Sequence, residues 1–73
     1  MKIGDYVTAA IVGENTSIQG IYIRDLGQDQ IFVEGQREMY LCYKHDAVVV
    51  PDKNLWGDTR EFVQRWRNEH IGS

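Results

Sequence analysis

Cysteine is almost missing from this 73-residue chain: Cys42 stands alone, so no internal disulfide can form. Neither paired cysteines nor a cysteine with spaced histidines occurs, which removes the usual zinc staple and leaves no metal or other cofactor to expect. No apolar run approaches the ~18 residues that a bilayer crossing requires, and no apolar leader follows Met1-Lys2-Ile3-Gly4-Asp5. A cytoplasmic protein without membrane contact is expected, in keeping with a free thiol and a reducing compartment. Positive charge is short as well. Eight Lys and Arg stand against eleven Asp and Glu, a net charge of −3, which argues against sequence-independent attraction to a phosphate backbone. Residues 1–52 carry four of the basic groups and eight of the acids, and 53–73 carry four and three. Any nucleic-acid contact is therefore expected in a focused pocket or on the C-terminal segment.

Proline is equally scarce, with Pro51 alone, and it closes an apolar run, Ala47-Val48-Val49-Val50, that reads as a buried strand. From Asp5 to Val50, short apolar alternations are broken by turn residues every eight to twelve positions, which predicts five antiparallel strands. The first, Tyr6 to Val12, sends Val7, Ala9 and Ile11 inward. In the second, Ile18 to Leu26, Ile21 and Ile23 are expected inside, with Gly20 where the strand bends or another backbone approaches. Gln30 to Glu34 offers Ile31 and Val33 to the core. Arg37 to Tyr43 follows, with Tyr40 and Cys42 opposite Met39, Leu41 and Tyr43.

The period then changes. Phe62, Val63, Trp66 and His70 recur at helical spacing, and Asp58 with Glu61 three positions on has the form of a capping box. The reading is mainly β. Residues 1–52 make a small, strongly bent, five-stranded antiparallel barrel, and 53–73 add a hinge and an amphipathic C-terminal α-helix to the same domain. A chain this short buries only ~60% of the surface its unfolded form exposes. With neither staple available, self-association is the expected source of further stability.

Such a bent barrel is shared by SH3-like and Sm-like folds, and local residues tilt the choice. Gln19-Gly20, Asp29-Gln30-Ile31-Phe32-Val33, Tyr43-Lys44-His45 and Val48-Val49-Val50-Pro51 follow in an order that resembles the bacterial Hfq branch of the Sm-like family, over about residues 12–51. The resemblance implies a ring of subunits joined edge strand to edge strand. It also implies a pocket for single-stranded, uridine-rich RNA or a nucleotide, lined by Gln30 and Ile31 of one protomer and Lys44 and His45 of the next. There Ile31 or Tyr43 would stack, Gln30 and His45 would hydrogen-bond, and Lys44 would meet phosphate. Three features depart from the family: a helix follows the barrel where the family has one before it, Asp46 comes after His45, and the chain is acidic.

Plainer readings stand beside these. Tyr43 also fits as a rim-packing aromatic, His45 as a cap on the turn, and Lys44 and Asp46 as solvated neighbours. Tyr22, Phe32 and Tyr40 fall on the outer face by the same alternation and are expected under the helix or in a subunit contact. Trp56, Phe62 and Trp66 read as the packing stripe of the helix. Arg60, Arg65 and Arg67, the one cluster of cations, form a possible secondary basic surface. Two residues separate Cys42 from His45 on an extended chain with no third group to orient the imidazole, so an enzyme is not expected. Small acidic domains of this kind also resemble inhibitors that bacteriophages direct against host proteins. A phage-type inhibitor acting in the host cytoplasm, or a sponge for a cyclic or modified nucleotide signal, is therefore the alternative to RNA capture.

Overall fold

The computed structural model describes residues 1–72. Five strands, β1 (Tyr6–Ala10), β2 (Ser17–Gly27), β3 (Gln30–Glu34), β4 (Met39–Tyr43) and β5 (Val48–Val49), precede a short 3₁₀ turn (Asp52–Asn54) and one helix, α1 (Gly57–His70). All pair antiparallel in the order β4-β3-β2-β1-β5. Beyond β1 the chain reaches across to β4. Ile11 bridges Cys42, and the Val12 N–H donates to the Leu41 carbonyl at 2.9 Å. The sheet is thus bent until its first and fourth strands touch, which is the small, helix-appended β architecture predicted from the strand periodicity.

Two apolar clusters hold it. Val7, Ala9, Ile11, Ile31, Val33 and Cys42 fill the bend of the sheet, and Tyr6, Ile21, Leu55, Val63 and Trp66 lie between the sheet and α1. Ile21 and Ile23 therefore face the helix and not the barrel interior, contrary to the sequence expectation. In the ladder Ile21 pairs with Tyr6, whereas Gly20 pairs with Val7 on the inner face. A period of two tells alternate residues apart but does not say which set is inside once both faces are covered. Tyr22 and Tyr40 pack against the barrel cluster, so they too leave the outer face assigned to them. Phe32 stays half-buried, with the Arg24 guanidinium 5.7 Å from its ring centre.

Gly20 is there because nothing larger fits. A Cβ at this position would lie 2.6 Å from the Glu34 carbonyl oxygen and 2.6 Å from Val33 Cγ1. Its missing side chain lets β3 cross close over β2 where the strand bends.

The fifth strand is not buried. Only Val48 and Val49 pair with β1, and they are 65% and 40% exposed at the edge of the sheet. An apolar run signals burial only when something covers it, and among the described residues no strand pairs with the far side of β5. Trp56 differs from expectation in the same way: it is 80% exposed, while Val63 and Trp66 are buried and Phe62 half-buried. Nor does Asp58 cap the helix. Trp56 occupies the N-cap position without a side-chain bond, and Asp58 sits in the first turn, where its charge suits the helix dipole.

Docking of α1 is fixed by polar contacts around this stripe. Trp66 Nε1 donates to Glu34 Oε1 at 3.0 Å, and the His70 ring stacks on the indole with centroids 4.2 Å apart. Arg67 Nε donates to the Gly4 carbonyl at 3.0 Å. Its two terminal nitrogens meet both oxygens of Asp52 at 2.9 and 3.0 Å, a bidentate fork that ties helix, 3₁₀ turn and N-terminal segment together.

Candidate functional site

One end of the barrel gathers the polar residues singled out in the sequence. The β2–β3 hairpin turns on Gln28 and Asp29, both left-handed at φ 54° and 62°, a conformation Asp accepts more readily than most residues. It lies against the loop leaving β4. The Lys44 N–H donates to the Asp29 carbonyl at 2.8 Å and the His45 N–H to Asp29 Oδ1 at 2.9 Å. Asp29 Oδ2 engages His45 Nδ1, so one aspartate holds both the backbone and the ring of its neighbour. Gln30 pairs with Tyr43 in the β3–β4 ladder, so the two lie side by side next to the loop that carries Lys44 and His45. The Tyr43 and His45 rings stand 5.5 Å apart and tilted.

Each charged group here already has a partner. Lys44 Nζ is bonded to Asp25 Oδ2, whose other oxygen accepts the Gly27 N–H at 2.8 Å. Asp46 is no idle neighbour: its Oδ2 accepts the Ala10 N–H at 2.9 Å and pins the loop to β1. The Asp29 bond and its charge hold the His45 ring protonated to higher pH than usual, and the same contact draws the Asp29 carboxyl below its ordinary value. Lys44 is likewise raised by Asp25, which is lowered by the ammonium and by the Gly27 N–H.

Ile31 does not belong to this surface. Its side chain is fully buried in the barrel cluster, so it has no face to offer a base, and Tyr43, half-buried at the rim, is the aromatic within reach. The residues that sequence reasoning undervalued are Asp25 and Asp29. Both read as ordinary turn acids, although Asp29 stands next to Gln30 in the most informative stretch.

The three helix arginines do not form one patch. Arg67 is committed to Asp52 and Gly4, and with Arg60 it borders a hollow of about 320 Å³ with Leu55 and Val63. Arg65 lines a different one, beside Glu34, Phe62, Trp66 and His70. Cys42 is buried, which pushes its thiol up and away from nucleophilic use. Among the described residues, no group of three or more His, Cys, Asp or Glu is placed to hold a metal. No helix among them is long and apolar enough to cross a membrane. Comparison with protein-family models, curated proteins and solved structures finds no match to this chain.

Proposed function

We propose that this protein is a non-enzymatic Sm-like binding module that assembles through its sheet edges and captures single-stranded RNA or a nucleotide at the junction of the two loops. The carrying observation is the Asp29 clamp, which brings Gln30, Tyr43, Lys44 and His45 to one end of the barrel. Those residues supply an amide, an aromatic ring, an ammonium and an imidazole, the set that reads a splayed base and its phosphate. The β5 edge, where Val48 and Val49 pair only with β1, offers a ladder to which another copy can add, whereas β4 is met in part by Ile11 and Val12. Repetition around a ring would multiply a weak pocket into useful affinity.

Native mass spectrometry gives the subunit count, and oligouridine and mononucleotide titrations of wild type, Lys44→Ala and His45→Ala give the ligand. A ring whose binding is lost in both variants supports the reading; a monomer that binds neither ligand removes it. Binding of a defined nucleotide without oligonucleotide affinity would favour the sponge. The 80% exposure of Trp56 favours a second reading, a protein-binding inhibitor that uses this aromatic against its target. A pull-down lost in Trp56→Ala with unaltered oligonucleotide behaviour would select it.

A further inference from the structure

The loop junction is electrically closed. Three carboxylates, Asp25, Asp29 and Asp46, stand among its two cationic side chains, Lys44 and His45, and each is already bonded. An anionic ligand therefore does not meet a free ammonium. Asp29 and Asp46 bond backbone N–H groups of the surrounding loop and strand, so they are part of the frame. Asp25 is different. Its backbone bond is local, from the Gly27 N–H two residues on, and its bond across the junction comes from the Lys44 ammonium.

Its placement is built into the strand. The β2–β3 register shifts between Asp25 and Gly27, an irregularity that re-aims the side chain, and Gly27 is left-handed at φ 79°. The Gly27 N–H then fixes one carboxylate oxygen and leaves the other on Lys44. The pair remains open to solvent, with Lys44 and Asp25 side chains 51% and 38% exposed, so an incoming group can reach the ammonium.

We infer that Asp25 is an internal competitor for Lys44, occupying the position on the ammonium that a ligand phosphate would take. This rests on the capture reading above and adds its regulation. A phosphodiester must compete with this carboxylate for the ammonium, which lowers affinity, discriminates against ligands held by charge alone, and favours those that also stack and hydrogen-bond.

The test is titration of fluorescent oligouridine into wild type, Asp25→Asn, Lys44→Ala and the double variant, at several salt concentrations. Asparagine keeps an acceptor for the Gly27 N–H, and a thermal melt by circular dichroism verifies the fold. Asp25→Asn is expected to tighten binding about two- to fivefold, the scale of an exposed ion pair. It should also steepen the salt dependence, by about 0.7 in the logarithmic slope for each phosphate newly neutralised. Both changes should vanish when Lys44 is also replaced. Unchanged affinity and slope in Asp25→Asn, with wild type binding normally, overturn the competitor alone. A gain that survives Lys44→Ala does the same. Absence of oligouridine binding in all four proteins overturns the capture reading and this inference together.

Discussion

A single imidazole links charge and stability at the loop junction. His45 has its folded pKa raised above the ordinary 6.5 by the bond and the charge of Asp29. The protonated ring is thus favoured in the folded state. Its contribution is fully present below pH 6.5 and is lost as pH rises through the raised value. At the acid end Asp29, lowered from 3.8, gives up its own contribution as pH falls through its depressed value. Proton NMR of the His45 ring should show this titration shifted upward in wild type and returned toward 6.5 in Asp29→Asn. Urea midpoints measured from below to well above pH 6.5 should lose part of their slope in the same variant. At Gly20 the constraint is steric. Gly20→Ala forces a methyl against a backbone oxygen that cannot step aside, and a loss of about 1–3 kcal/mol is expected from denaturant unfolding.

The helix is held by one apolar stripe and by the polar ties of Trp66 and Arg67. Trp66→Ala removes the largest side chain in the cluster between sheet and helix and leaves Glu34 without its indole donor, so it should cost about 3–5 kcal/mol. Trp66→Phe keeps most of the packing and loses the hydrogen bond, for about 1 kcal/mol. Both are read from equilibrium denaturation followed by circular dichroism. Asp58→Ala is the contrasting case. No side-chain cap bond starts the helix, so only the interaction of Asp58 with the helix dipole is lost, a cost of about 0.3–1 kcal/mol in the same measurement. The capping-box pattern misplaces the start of the helix: the N-cap is Trp56, two residues before Asp58, and no side chain bonds there.

Assembly is tested at the edge of the whole sheet. Val48 and Val49 present an apolar strand with only β1 beside it, a surface that small proteins cover or charge when they stay single. If copies join there, Val48→Lys should shift the native mass spectrum from an assembly to a monomer and weaken oligouridine binding with it. The same substitution in a protein that is monomeric from the start would change neither. The fold leaves Trp56 exposed, and the stripe it was grouped with seats the helix through Phe62, Val63 and Trp66.

Strand number, the change from period two to helical period, and the core roles of Val7, Ala9, Ile11, Ile31 and Val33 were all legible in the chain, because each follows from local alternation and turn chemistry. Which face was inside was not legible for Ile21, Ile23, Tyr22 or Tyr40. Period two is symmetric between the faces, and only the docked helix breaks that symmetry. The same limit applied at the junction. Lys44 and His45 stood out by type and spacing, but Asp25 and Asp29 lie 19 and 16 residues away from them, and only folding brings those carboxylates onto the cations. Local order thus determined the elements and named the polar residues. Their pairing, and so whether a cation is free or already held, belonged to the tertiary structure, because charge acts through space and not along the chain.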